Sequence, residues 1–437
     1  MDSSLLRAEL AGGTSLEEGA RRSLTGRRIA VGCGFPTNSR FVRRMIAMLA
    51  PPWTLGRVLV ALLCLAVASP ALAQEGRRKP PALESVNEAV TKHIENNDVA
   101  GAVTIVIEDG KVVHLSGLGK ANIQADKPMR PGAMFAIASM TKPITATALM
   151  TLVEEGKVGL DDPVSKYIPE FADVKFEDKT LDKPITIRQC LTHTAGLGGS
   201  QRVVGSLEET AKELAKRPLR YEPGTKWEYS PGLNVVGRVI EVAAGKPYGE
   251  FVQERILTPL KMNNTTFQPN EKQQARVATL YAKDKDSGEL TEAESWIGNF
   301  ETDPYPNPSA GLYSTARDLS KFYSMMLNGG FLGDAKILSR DSVKELTKLQ
   351  TGEIVTGFTP GNGWGLGYCV VREPQGVSAA LSPGSFGHGG AFGTQSWGDP
   401  KKNRAYILLV QRSNFPNSDA SDLRKDFQDA AAAALDK

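Results

Sequence analysis

Apolar positions recur along the chain with two different periods, and these divide it into elements. Leu83 to Asn97 carries helical spacing. Ala102 to Leu115 reads as two strands around a Glu108-Asp109-Gly110 turn. A Gly- and Pro-rich connection then runs to Met134. From Ile144 to Gly156 the residues Leu149, Met150, Leu152 and Val153 mark a helix, with Pro143 in its first turn and Gly156 as its stop. From about 157 to 300 the chain is helical and rich in loops, with helices expected at Ile185–Thr194, Leu207–Lys216, Asn234–Ala244 and Tyr248–Ile256. Strand signals return at Gly365–Val371, Ser385–Trp397 and Ala405–Arg412, with a turn at Asp399–Arg404 between the last two. Leu423–Leu435 reads as a closing Ala-rich helix.

An isolated early hairpin is not stable in water. It is therefore expected to join the late strands in one antiparallel sheet, covered by the first and last helices. The expected fold class is α/β (α+β): a discontinuous antiparallel sheet flanked by N- and C-terminal helices, built from residues 80–150 and 305–437, with a helical domain inserted at 151–304.

The N-terminal part has a different character. Residues 1–44 are rich in Arg, Gly and Ser without sustained periodicity, and read as disordered or as an extension upstream of a misplaced start. Val58–Ala68 is an apolar run preceded by Arg43, Arg44 and Arg57 and followed by Ala71-Leu72-Ala73, a small-x-small cleavage pattern. Residues 45–73 are thus expected to be a cleaved signal peptide, giving an exported periplasmic or secreted protein with no membrane span after cleavage. The alternative is an uncleaved anchor, for which the run is short.

Composition adds exclusions. With 437 residues, 41% hydrophobic, 23% charged and a net charge of +3, the balance is that of an ordinary globular protein. No basic patch with interleaved aromatics appears, so nucleic acid is not an expected partner. The cysteines (Cys33, Cys64, Cys190, Cys369) and histidines (His93, His114, His193, His388) lack metal-ligand spacing, so no metal and no cofactor are expected. There is no Gly-x-Ser-x-Gly for an α/β-hydrolase route.

The candidate chemistry starts at Ser139-x-x-Lys142. Residues three apart share a helix face, so the hydroxyl and the amine can meet, and a buried lysine can lose its proton and act as a base. Taken alone, the tetrad reads as a serine cap followed by a solvated lysine. Two further stretches change that. Trp227-Glu-Tyr229-Ser230-Pro231-Gly232 leads into a helix and offers a phenol that can trade protons. Gly387-His388-Gly389-Gly390-Ala391 lies on an expected strand, where glycines let a substrate approach the backbone.

Ser139-x-x-Lys142, Tyr229-Ser230 and His388-Gly389-Gly390, in that order and with long gaps, resemble the three signatures of the serine β-lactamase and penicillin-binding superfamily. The likeness is greatest to its class C β-lactamase-like branch, which includes family VIII carboxylesterases. Leu191-Thr-His-Thr-Ala-Gly-Leu197 and Ala310–Leu319 are similar to further hallmarks of that branch, and the resemblance spans about 80–435. It implies an acyl-enzyme mechanism on a small ester or amide. Ser139 would be the nucleophile, and Lys142 and Tyr229 would share proton transfer. The N–H groups of Ser139 and Ala391 would form the oxyanion hole. His388, Gly389, Gly390 and Pro231 would contact substrate. His193 is expected to be structural, and His93 and His114 to be surface or packing residues.

Two departures separate this chain from β-lactamases. Pro231 stands where they carry an asparagine amide, and His388, a weaker and titratable cation, stands where many penicillin-recognising members carry lysine. Both favour an uncharged ester. A carboxylesterase is therefore the leading expectation, with a β-lactamase or D,D- or D-amino peptidase, and a non-catalytic cell-wall-binding or scaffold protein, as alternatives.

Overall fold

A computed structural model of the chain describes residues 83–297 and 305–436. Everything described lies in the unit Lys79–Lys437. The expected extension at 1–44 and signal peptide at 45–73 fall outside the described residues. Among the described residues no helix is long and apolar enough to cross a membrane.

Among the described residues the α-helices of five residues or more are α1 (Glu84–Glu95), α2 (Thr141–Glu154), α3 (Ile187–Leu191), α4 (Leu207–Ala215), α5 (Gly232–Ala244), α6 (Tyr248–Val252), α7 (Ala316–Leu327), α8 (Arg340–Thr347) and α9 (Asp422–Leu435). The main sheet is built from β1 (Gly101–Glu108), β2 (Lys111–Asn122), β3 (Lys127–Pro128), β4 (Asn362–Trp364), β5 (Cys369–Val371), β6 (Phe386–Gly389), β7 (Gln395–Asp399) and β8 (Arg404–Leu409). Its order is β4-β5-β6-β7-β8-β1-β2-β3, antiparallel throughout. The early hairpin joins the late strands through the pairing of β1 with β8, as Ile105 faces Ile407 and Val103 faces Leu409.

Strand alternation explains why both faces are buried. Val103, Ile105, Ile107, Ile407 and Leu409 point into one core with Leu319 and Phe322 of α7. Ala102, Val106, Tyr406 and Leu408 point into the other with Val86 and Val90 of α1 and Leu423 and Phe427 of α9. Each of the larger aliphatic side chains contributes about 1.5–3 kcal/mol by leaving water. The terminal helices thus cover one face only. The other is covered by α7, which no sequence expectation included.

Two expected strands are broken by glycine turns. In the expected Gly365–Val371 strand, Gly365–Tyr368 is instead the reversal between β4 and β5, with Gly365 N–H donating to Tyr368 O (2.8 Å) and Gly367 at φ 74°, and only Cys369–Val371 is strand. Ser385–Trp397 is two strands joined by a turn in which Gly390 N–H donates to Thr394 O (2.7 Å) and Gly393 adopts φ 86°. Left-handed backbone of this kind is open to glycine at little cost. In the helical segment, reciprocal caps fix the starts of α3 (Thr186 with Gln189) and α4 (Ser206 with Glu209).

His114 is a packing residue, and a fully buried one. Leu83 N–H donates to its Nδ1 (2.8 Å), which leaves the ring proton on Nε2 facing Thr104 Oγ1 (2.8 Å). Burial pushes its pKa down to about 4. A histidine held neutral in the fold but titrating near 6.5 when unfolded stabilises fully above 6.5, and that contribution is lost as pH falls toward 4. At pH 5 the loss is about 2 kcal/mol. Thermal unfolding at pH 7 and pH 5 should show a lower midpoint at pH 5, and an unchanged midpoint would contradict the neutral, buried ring.

Candidate active site

The site forms where the start of α2 meets the end of β6 and the turn before α5. Ser139 lies in a tight turn, Ala138–Met140, that runs straight into α2. The helix begins at Thr141, three residues before the first expected position. Ala138 has φ 45°, a left-handed conformation that costs a non-glycine residue about 1 kcal/mol or more and that aims the next residue out of the helix line.

Lys142 is completely buried on the first turn of α2. Its Nζ lies 3.3 Å from Ser139 Oγ and 2.8 Å from the Ser309 carbonyl. Burial drives the amine pKa well below its ordinary value, opposed by the field of Asp419. A neutral amine can donate one proton to Ser309 O while turning its lone pair toward Ser139. Tyr229 lies alongside, its ring centroid 4.6 Å from Lys142 Nζ. Burial pushes the phenol pKa up, and the nearby Ser139 hydroxyl pulls it back in part. The phenol therefore keeps its proton, and its Oη has no ordinary hydrogen-bond partner among the described residues.

The Leu191–Leu197 loop holds that tyrosine. His193 is buried with φ 60°, and its Nδ1 accepts from the Ser230 N–H (3.1 Å). Its carbonyl accepts from Tyr221 Oη and Glu228 N–H, both at 3.0 Å. His193 is thus a structural clamp, as expected. Pro231 is buried as the cap residue of α5, and its carbonyl accepts from Asn234 N–H (2.9 Å). A Cβ on Gly232 would strike the Cys190 carbonyl, so only glycine lets α5 start this close to α3. Cys190 and Cys369 are both buried and both free.

On β6, His388 points toward the same centre, its ring 6.0 Å from Tyr229. Here one expectation needs correction. His388 is not a weak cation: burial and the nearby Lys142 push its pKa down to about 3, so the ring is neutral at physiological pH. Its Nδ1 bonds the Gly389 carbonyl at 2.6 Å. Gly390 packs on the nucleophile turn, where an added Cβ would lie 2.5 Å from the Ile137 carbonyl. Ala391 is exposed, and no backbone carbonyl of the described residues takes its N–H.

Several contacts around these residues have no signal in the sequence. The Ala310–Leu319 hallmark has an architectural role: Ser309 O just before it receives Lys142, and Leu312 N–H donates to Thr141 Oγ1 (3.1 Å). An aromatic wall joins Trp227, Tyr229, Phe358 and Trp364, with Trp227 5.1 Å from Trp364 and Phe358 4.8 Å from Tyr229. Asp419 stands behind Gly389. Apart from Trp227 and Tyr229, which share one motif, these residues come from distant parts of the chain.

The comparisons agree with this geometry. A family model described as Beta-lactamase matches residues 86–431. The chain is 32% identical over 350 residues to "Esterase EstB" of Burkholderia gladioli, covering 71% of this chain and 86% of that protein. Among solved structures it is similar to "EstCE1, a hydrolase with promiscuous acyltransferase activity" (TM-score 0.69, 24% identity, 80% of this chain and 98% of that one). It is also similar to the octameric penicillin-binding protein homologue from Pyrococcus abyssi (TM-score 0.63, 27% identity, 81% and 77%). With the family match running through all but the ends of the described residues, the chain belongs to the serine beta-lactamase and penicillin-binding superfamily and is a hydrolase of that fold.

Proposed function

We propose that this protein is an exported carboxylesterase that works through an acyl-enzyme on Ser139. The observation that carries the reading is the half-buried Ser139 with the fully buried Lys142 amine 3.3 Å from its Oγ, beside Tyr229 and a neutral His388. Lys142, short of its proton, takes the hydrogen of Ser139 Oγ as that oxygen bonds the acyl carbon. Tyr229, which holds its proton, suits delivery to the departing alkoxide. The N–H groups of Ser139 and Ala391 would receive the developing oxyanion. Water then attacks the acyl-enzyme with the same groups in reverse roles.

The preference for an ester over a β-lactam rests on charge and on Pro231. A neutral His388 offers nothing to the antibiotic's carboxylate, and Pro231 has no amide for its acyl amide group. One unsatisfied buried polar group costs about 1–3 kcal/mol. Export is supported by the pattern at Val58–Ala73 alone. Similarity to an esterase of 32% identity is consistent with this reading.

The test is direct. A fluorophosphonate probe should label Ser139 and nothing else, and Ser139→Ala should abolish both labelling and turnover. On one preparation, kcat/KM for p-nitrophenyl butyrate should exceed that for nitrocefin by at least about fivefold, the lower end of that cost. Equal values, or a preference for nitrocefin, would replace the esterase reading with a β-lactamase.

A further inference from the structure

Phe358 is a large apolar side chain left partly open beside the reacting centre, and the mechanism above gives it no task. It lies in the segment 348–361 between α8 and β4. Its relative exposure is 39%. Its backbone is strained as well, with φ 71°, a left-handed conformation that bulky side chains rarely adopt. Such a conformation persists only where the surroundings fix it. Here they do. The Phe358 carbonyl accepts from Asn417 Nδ2 (2.9 Å), Thr359 N–H donates to the Gly357 carbonyl (3.1 Å), and Thr356 Oγ1 donates to the Asn362 carbonyl (2.8 Å). Gly357 packs on Trp227, where an added Cβ would lie 2.9 Å from the indole ring.

What these contacts hold in place is one ring. Phe358 meets Tyr229 with centroids 4.8 Å apart and planes at 73°, and meets Trp227 at 5.7 Å and 89°. Tyr229 in turn lies against Lys142 Nζ (4.6 Å to its centroid), and that amine is 3.3 Å from Ser139 Oγ. Phe358 is thus the next ring outward from the reacting groups. A ring needed only for packing is enclosed, as Trp364 of the same wall is at 1% exposure. Phe358 instead keeps apolar area open next to the tyrosine. Its position decides which part of an ester it serves. To hand over its proton, Tyr229 Oη has to come within about 2.6–3.2 Å of the leaving oxygen. The group carried by that oxygen therefore starts beside Tyr229, with Phe358 as its neighbour. The acyl part is instead anchored through its carbonyl at the N–H groups of Ser139 and Ala391.

We infer that Phe358 is a specificity-determining residue, an apolar platform for the alcohol part of the substrate. The enzyme then favours esters of aryl-bearing alcohols over esters of small alkyl alcohols with the same acyl group. This deepens the esterase reading and rests on Tyr229 serving the leaving oxygen. Aromatic rings pair at centroid distances of about 4.5–7 Å, the spacing Phe358 already keeps with its two neighbours.

Turnover and occupancy are tested separately, so that the two readings fail separately. Benzyl butyrate and ethyl butyrate share an acyl group, and their alkoxides differ little in basicity. By kcat/KM the benzyl ester should be favoured at least about tenfold. Phe358→Ala and Phe358→Gly should each cut that ratio at least about fivefold. Glycine adopts left-handed backbone freely, so a change shared by both variants belongs to the ring and not to a displaced loop. The ratio of ethyl hexanoate to ethyl acetate reports the acyl side and should move less than about twofold. Ratios cancel any general loss of activity transmitted through Tyr229. Without turnover, benzyl alcohol should slow fluorophosphonate labelling of Ser139 more than ethanol at equal concentration, and both variants should lose that difference. Ester turnover with no benzyl preference, or with one that both variants keep, overturns the platform and leaves the esterase standing. A shift in the acyl ratio in place of the alcohol ratio overturns it too. Protection by benzyl alcohol that the variants lose, with no ester turnover, overturns the esterase and leaves the platform. Neither turnover nor protection overturns both.

Discussion

Lys142→Arg is expected to lower kcat/KM for a p-nitrophenyl ester by about 10³-fold, as much as Lys142→Ala. The amine is completely enclosed, and its proton affinity is held down by burial. A guanidinium keeps its proton in any protein environment, so it cannot accept the hydrogen of Ser139. It also has to be buried beside Ser309 O in space that fits an ammonium, which adds a packing cost. Loss of fold and loss of base can be told apart. Lys142→Met keeps the unbranched shape without charge, and should melt close to the parent chain while remaining inactive. Steady-state kinetics and thermal unfolding on the three variants provide the check. An arginine variant within about tenfold of the parent would mean that Lys142 serves as a fixed charge and not as a proton acceptor.

Gly390→Ala should be nearly as damaging, at about 10²-fold in kcat/KM. The added methyl would meet Thr394 Oγ1 and come within 2.5 Å of the Ile137 carbonyl. Both belong to segments the site depends on: Ile137 precedes the nucleophile turn, and Thr394 closes the turn that carries Ala391. Neither atom is the loose end of a long side chain, so the strand end must move away from Ser139. That shift takes the Ala391 N–H out of line with a developing oxyanion, where one donor is worth about 2.7–4 kcal/mol. The damage should fall mainly on kcat, with Ser139 still labelled slowly by a fluorophosphonate. Unchanged kcat/KM would show that Ala391 N–H is not an oxyanion donor.

The elements that could be read from the chain are those whose cause is local. The hairpin at Asp109-Gly110, the helices α4, α5 and α9, and the spacing of Ser139 and Lys142 depend on turn chemistry, caps and periodicity within a few residues. Glycine had two readings at the same positions, and the structure chose turns over continuous strands at 365–368 and 390–394. The third signature was legible as a pattern, but the state of its histidine was not. Whether His388 carries charge depends on how completely strangers in sequence enclose it, and on a lysine 246 positions away.

The sequence by itself determined the order of the motifs, the hairpin that had to find partners, and the absence of lysine and asparagine at 388 and 231. Tertiary structure alone decided the second cover of the sheet by α7, the receipt of Lys142 by the Ser309 carbonyl, and the arrival of Asp419 behind Gly389. The physical reason is one of range. Propensity and capping act over a turn, whereas desolvation and Coulomb fields act through space and respond to whatever the fold brings near. Proton affinity and charge preference in this site belong to the second kind, so they appear only once the chain has closed around Lys142.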